Sequence, residues 1–510
     1  MEVLLLAFGS VCAVLFSLII SWVVNSVYNA YLHPLAKVPG PRIYGFSQFP
    51  YLYHTWSGRW PQALKLLHDR YGPVVRFGPT DVSFIAPGAW QKVFAHKSQD
   101  DKVYKKDHHI LRAQAKIPTI ANADPENHRR MRRLLAHAFS EKALRNQEDI
   151  MKHYIDLLVT KFSLFAQQGE IVDIVRWYNY ATFDLIGDLA FGRPFGCLEN
   201  SKYHPWVGII FDSVRHTTYT LLGKRVWILQ PIITRLVPKK LRRNLLEHRK
   251  LSEMAAMERI QNENATRHDF LHYILRHNDE KGMSIQEIIE ISNTLILAGS
   301  ETTATQLSGT TFNILKNPDV YKKLVEEIRA AFASEEEITL TSVNNLDYML
   351  ATFSESFRVY PPAPIGLPRF VPEGGDTIEG YWIPANTSVS IPHYAAYRCA
   401  QNWVDPERFD PERWLGVPQY AQDKRDVFNP FSVGPRDCIG RNLAYAEMRL
   451  ILARVLWNFD LELMPESENW MDQDAHLLWV KGALKVRLIP VVREEAGVAP
   501  KQFGLPNPKE

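Results

Sequence analysis

Hydrophobic and polar positions follow three patterns along this chain, and each predicts a different element. From Val3 to Val24 no charge interrupts 22 positions. At about 1.5 Å per helical residue, such a run crosses about 30 Å of hydrocarbon. It is longer than the apolar core of a cleaved leader, no Lys or Arg precedes it and no A-x-A-like site follows, so a retained transmembrane helix is predicted over 1–25. Glu2 precedes the span while Lys37 and Arg42 follow it, which places the rest of the chain on the cytosolic side. Pro34 and Pro39-Gly40-Pro41 then predict a stiff, proline-rich hinge over 26–45.

Helical periodicity dominates from His128 to Asn317. The longest predicted helix runs from Ser284 to Asn317, opened by the capping box Ser284-x-x-Glu287 and stopped before Pro318. Its interior holds Ala298-Gly299-Ser300-Glu301-Thr302-Thr303. Mid-helix Gly costs about 1 kcal/mol against Ala, and hydroxyls compete for backbone carbonyls, so a local kink is expected there. A second helix is predicted over Ile439 to Asn458, whereas Thr377 to Ser390 reads as short strands and turns. Leu221 to Val237 is strongly apolar and is followed by Lys239, Lys240, Arg242, Arg243, Arg249 and Lys250, with Leu241 and Leu245 on another face. That combination fits a surface-dipping loop and a basic amphipathic helix, with a charged surface helix beside a core segment as the alternative. The fold class is mainly α with a small β-rich region behind a single N-terminal transmembrane helix. No linker divides residues 46–490, and 491–510 reads as a flexible tail.

Composition narrows the function classes. Hydrophobic residues make up 46% of 510 and the net charge is +3, a balance that gives no support to nucleic-acid binding. Four cysteines, Cys12, Cys197, Cys399 and Cys438, suggest no disulfide framework. The chain holds no G-x-G-x-x-G fingerprint, flavin-domain stretch or four-cysteine iron–sulfur pattern, so a redox reaction here draws electrons from another protein.

Candidate chemistry concentrates in Phe431-Ser-Val-Gly434-Pro-Arg436-Asp-Cys438-Ile-Gly440. The helix after Cys438 would point its positive end at the sulfur and favour a thiolate. Gly434 permits a turn with φ > 0, Gly440 lets backbone approach a flat ring, Phe431 packs beside the sulfur, and Arg436 offers charge to a carboxylate. A lone Cys438 would read as a buried thiol; the F-x-x-G-x-R-x-C-x-G spacing overturns that. It resembles the haem-binding signature of the cytochrome P450 monooxygenases, which implies haem b held by Cys438.

Further motifs follow in that family's order. AGSETT resembles the oxygen-activation segment, implying Thr302 as the hydroxyl at that site and Glu301 as a proton relay, with Ala298 and Gly299 leaving room for O2 and substrate. Glu355-Ser-Phe-Arg358 alone would read as an exposed i, i+3 ion pair. Beside Phe409-Asp-Pro-Glu-Arg413-Trp it resembles the family's buried Glu355–Arg358–Arg413 cluster, which is architectural. His128-Arg129-Arg130-Met131-Arg132 stands where many relatives have W-x-x-x-R, with His in place of Trp, so His128 and Arg132 are candidate propionate partners, as is Arg369. Arg129, Arg130 and Arg133 are candidates for a cationic face toward an acidic electron donor.

The resemblance implies a cytochrome P450 fold over nearly everything after residue 35. It also implies O2 and NADPH as co-substrates, with NADPH–cytochrome P450 reductase as donor and cytochrome b5 as an optional second one, and residence in the endoplasmic reticulum membrane. By the same analogy an apolar pocket is lined by Ile110, Leu111, Ile120, Leu295, Ala298, Ala363, Ile365, Leu477, Leu478 and Trp479. Lys105, Lys106, His108 and His109 read as a solvated loop beside it. HRRMRRLLAHAFS, YNYATFDLIGDLAFG and LILAGSETTAT look most like filamentous-fungal microsomal enzymes of secondary metabolism, implying a lipophilic terpenoid, polyketide or alkaloid intermediate as substrate. Two alternatives from other classes are a haem-thiolate isomerase or dehydratase that uses neither O2 nor reductase, and a noncatalytic haem or lipid binder.

Overall fold

A computed structural model describes residues 2–96, 102–107, 117–209, 235, 238–261, 268–279 and 282–493. The predicted apolar segment Leu221–Val237 lies outside the described residues except for Arg235, as do 494–510 of the predicted tail.

The N-terminal helix runs over Glu2–Tyr31, six residues beyond the expected end of the anchor, because no proline or glycine stops it before Pro34. Among the described residues it is the one helix long and apolar enough to cross a membrane. The expected hinge is a folded corner. His33 caps a 3-10 turn at Pro34–Lys37, Ala30 abuts Gly45 of the helix Arg42–Phe46, and the Arg42 guanidinium lies 4.8 Å from the Tyr31 ring centre. Next to this corner, Ile43, Phe49, Tyr53 and Trp56 are exposed.

The main core forms between the helices Glu148–Gln168, Ile174–Phe191, Ile285–Lys316 and Arg441–Asn458. All of Ile174–Phe191 except Arg176 is buried, as expected of a helix that is apolar nearly all round. It lies along the long helix Ile285–Lys316, where Ile186 fills the space a Gly299 side chain would need: a Cβ there would stand 2.7 Å from Ile186. Gly299 therefore serves helix packing rather than the oxygen and substrate space expected of it.

The long helix has both halves of its capping box, and Arg130 adds a two-pronged ion pair to Glu287. The helix is continuous across 285–316, and within it the Ser300 and Thr302 hydroxyls donate to the carbonyls of Ile296 and Ala298 at 2.6 Å, the competition for carbonyls expected there.

A second core packs on a five-stranded sheet, ordered Val74–Gly78, Asp81–Phe84, Ser388–Ser390, Arg369–Phe370, Lys105–Lys106. Strand pairs Asp376–Ile378 with Tyr381–Ile383 and Ala475–His476 with Leu478–Trp479 form two further small ribbons. At the C-terminus the expected tail begins later than 491: the Val491 N–H donates to the Asn458 carbonyl and the Arg493 guanidinium covers the Trp457 ring.

Candidate haem-thiolate site

The segment before Arg441–Asn458 wraps around a single thiol. Cys438 N–H donates to the Phe431 carbonyl (2.8 Å), and Gly434–Arg436 forms one 3-10 turn between them. Gly434 sits at φ +81°, and a Cβ there would meet the Phe94 carbonyl oxygen at 2.0 Å, so both conformation and space require glycine. Gly440 differs. It caps the helix at φ −85°, and its Cβ would find only ordinary contacts at 3.9–4.0 Å, one of them the Cys438 sulfur, whose pKa its N–H lowers. Nothing in the polypeptide demands glycine there, whereas a flat ring brought against the sulfur would. Phe431 is held between Phe357 (5.2 Å) and Tyr445 (5.1 Å) beside the loop.

Cys438 has solvent-reached surface, yet crowding by protein raises its thiol pKa. Both hold for a group lining an interior hollow. The Gly440 N–H, Arg132 and Arg441 pull the other way, which suits a sulfur deprotonated on binding a metal.

Beside this thiol lies an excess of positive charge. Lys106 and Arg369 are direct cross-strand partners, a pairing that like charges make unfavourable. Burial first, then Arg369, Arg436 and Arg132, drive the Lys106 pKa well below its ordinary value. Burial and Arg436 lower Arg369 to about 10. His128 is lowered to about 3 by burial and then by Arg436, Lys106, Arg132 and Arg369, so it is neutral. One guanidinium nitrogen each of Arg369 and Arg436 is buried without a hydrogen-bond partner. Arg436 otherwise donates to the Ala123 carbonyl, and Lys106 to that of Ala121. Arg132 is already committed to Asp437, bonding its carbonyl (2.8 Å) and its carboxylate. Orphaned donors in a crowd of cations fit the two propionates of a haem. Lys106, expected in a solvated loop, belongs to this cluster; its partner Arg369 is too distant in sequence for any local pattern to show it.

Across the long helix, Ala298 is exposed and Thr302 half-exposed while Ser300, Glu301 and Thr303 are buried, so these two, one turn apart, mark the face turned to the hollow. Glu301 points elsewhere. It is buried, one carboxylate oxygen is ion-paired with Lys481, and Oε2 has no partner. Lys481 also donates to Thr305 at 2.6 Å. The Thr303 side chain lies beside Glu447 of the cysteine helix, which is buried and whose pKa burial pushes well above its ordinary value.

Glu355, Arg358 and Arg413 meet with no side-chain exposure. Arg358 makes two bonds to Glu355 (2.8 and 2.7 Å), and Trp414 Nε1 and the Asp410 N–H complete that carboxylate's shell. Sequence reasoning missed a fourth member, Asp423, 2.6 Å from Arg413.

The candidate pocket residues divide. Ile110 and Leu111, with His108 and His109, lie outside the described residues. Ala363, Leu478, Leu477 and Ile120 are half-buried, and Ala298 is exposed. Leu477, at the tip of the hairpin Ala475–Trp479, is held at φ +69°, a strained conformation for a branched side chain. Ile365 packs against the Tyr44, Tyr51 and Trp60 cluster, and Leu295 is buried in the main core. Trp479 is also core: its indole donates to the Pro361 carbonyl (2.8 Å) and its ring stacks on Tyr360. The proposed cationic face is thinner than expected, because Arg130 is spent on Glu287 and Arg133 pairs with Asp279; Arg129 is exposed.

Comparison with known proteins agrees with this geometry. The sequence model of one family, Cytochrome P450, matches residues 39–488. The chain is 44% identical over 465 residues to cytochrome P450 monooxygenase astA of Talaromyces wortmannii, covering 91% of this chain and 94% of that one. It is 41% identical to monooxygenase aclL of Aspergillus oryzae, covering 94% and 98%, and 42% identical to averantin hydroxylase of Dothistroma septosporum, covering 93% and 91%.

Proposed function

The chain belongs to the cytochrome P450 family and is a haem-thiolate monooxygenase, and from that premise we propose that it is a single-pass protein of the endoplasmic reticulum membrane that hydroxylates a lipophilic secondary-metabolite intermediate. A terpenoid, polyketide or alkaloid is the substrate class, and NADPH supplies electrons through NADPH–cytochrome P450 reductase, with cytochrome b5 as a second donor. The observation that carries the site is the thiol of Cys438 at a helix N-terminus beside cations with orphaned N–H groups. A haem bound through a thiolate supplies O2 activation, since the sulfur pushes electron density toward iron and favours O–O cleavage.

The chain's own residues supply the rest. Cys438 would ligate the iron, while Arg369, Arg436 and Lys106 would hold the propionates beside neutral His128. Ala298 gives space on the open face. The Thr302 hydroxyl, now returned to the Ala298 carbonyl, would turn to hold a proton in the pocket, and Glu301 would replenish it. The apolar helix Phe8–Tyr31 and the exposed Ile43, Phe49, Tyr53 and Trp56 support a cytosolic domain seated on the bilayer. The name of one relative, averantin hydroxylase, supports hydroxylation as the reaction.

The test is comparative metabolite mass spectrometry of the source organism with and without the gene, then feeding of the accumulated precursor to microsomes with reductase and NADPH. A product heavier by one oxygen is expected. Conversion without NADPH and without mass change would establish the isomerase reading instead. Thr302→Ala should keep the thiolate-type reduced-CO spectrum while NADPH use separates from product.

A further inference from the structure

Lys481 follows the strained hairpin Ala475–Trp479 and lies between exposed Val480 and Gly482. Its backbone is at the surface, yet its side chain is only 4% exposed and runs inward to the Glu301 carboxylate, itself 6% exposed. A lysine threaded into the interior gives up hydration and rotamer freedom, and it does so here for one carboxylate and the Thr305 hydroxyl. The result is asymmetric. One carboxylate oxygen of Glu301 is anchored by the ammonium, and Oε2 is buried with no partner. Tyr203 and Tyr360, from two other elements, also face this carboxylate, and its charge raises the pKa of each behind the larger effect of burial.

We propose that Lys481 is a positioning residue for proton delivery: it fixes Glu301 by one oxygen, leaves Oε2 as the oxygen that receives and passes protons, and makes this arrangement depend on the seating of the hairpin that carries Leu477 and Leu478. The inference rests on the monooxygenase reading with Glu301 as relay and deepens it. The hairpin is pinned on its far side by Trp479, stacked on Tyr360 and bonded to Pro361, and is closed by the Val480 N–H donating to Asp474. Lys481 is its tie to the long helix. A substrate that shifts the Leu477 tip therefore shifts the anchor of the proton relay, which links pocket occupancy to productive use of electrons.

The test compares Lys481→Met, Lys481→Arg, Glu301→Gln and the double variant Glu301→Gln/Lys481→Met in haem-loaded enzyme with reductase. Two readouts are needed, product formed per NADPH consumed and the midpoint of thermal unfolding. Lys481→Met should retain the reduced-CO spectrum and lose at least about tenfold in product per NADPH, as expected when an acid–base group is misplaced. Lys481→Arg should restore most of that loss, and the double variant should be no worse coupled than Glu301→Gln. The unfolding midpoint should fall in Lys481→Met, which leaves Glu301 buried and unpaired, and recover in the double variant.

Wild-type coupling in Lys481→Met, with Glu301→Gln uncoupled, would overturn the role of Lys481 and leave the relay standing. Wild-type coupling in Glu301→Gln would overturn the relay itself. Should Lys481→Met fail to fold, the double variant and Lys481→Arg decide: losses that add, or an arginine variant as uncoupled as Glu301→Gln, would sink the proposal.

Discussion

The carboxyl of Glu447, on the helix that begins after Cys438, lies beside the side chain of Thr303, the neighbour of Thr302 on the long helix. One buried contact thus joins the element that presents the thiol to the element that presents the hydroxyl. Burial raises the Glu447 pKa well above 4.5, which outweighs the opposing effect of Thr303.

Because the folded state holds the Glu447 proton more tightly than the unfolded state, its contribution to stability is complete below about pH 4.5 and is lost progressively as pH rises toward the folded value. Glu447→Gln keeps the shape and removes the titration. Its unfolding midpoint should gain on wild type as pH rises from 5 to 8; parallel curves for the two proteins would show that Glu447 does not titrate in that way.

Two glycines of the cysteine loop should respond differently. Gly434→Ala forces a side chain into the Phe94 carbonyl at positive φ, so the loop cannot close and the yield of folded, haem-loaded protein should collapse. Gly440→Ala meets no protein atom closer than 3.9 Å. Its apoprotein should unfold within about 0.5 kcal/mol of wild type, while haem is released faster on dilution into apomyoglobin. Equal haem retention would remove the assigned reason for Gly440.

Lys106→Met should have opposite effects on the empty and loaded protein. Without haem it relieves repulsion from Arg369, Arg436 and Arg132 and should raise the melting temperature. With haem it removes a charge-assisted bond of about 1.5–3 kcal/mol, so haem loss should quicken about tenfold or more. Haem retention equal to wild type would return Lys106 to a structural role.

Arg413→Met strands Asp423, fully buried at the side chain, while Glu355 keeps its two bonds from Arg358. Breaking such a group on one side costs about 3–5 kcal/mol, so the reduced-CO signal at 37 °C should be mostly lost. Recovery is expected in Arg413→Met/Asp423→Asn, measured by the same spectrum, if the unpaired charge is the cause.

The order of motifs and the two main helices were legible in the sequence because each depends on residues near one another. The capping box of Ser284, Gly434 at its turn and Cys438 before a helix are short-range relations that composition and spacing record. They determined the family, singled out Cys438 as the candidate ligand and marked one long apolar N-terminal helix.

Tertiary structure decided what pairs with what. Lys105–Lys106 looked like a solvated pair until strand pairing set Lys106 opposite Arg369; Glu301 looked like a free relay until the chain brought back Lys481; Gly299 looked like room for a substrate until Ile186 filled it. Cys438 has Arg436 in its own motif, but nothing local to it reveals that Lys106 and Arg132 join that cation. The physical reason is common to all four. Electrostatics and packing act across a few ångströms of space, and residues separated by more than a hundred positions leave no periodic mark on the sequence when folding places them side by side.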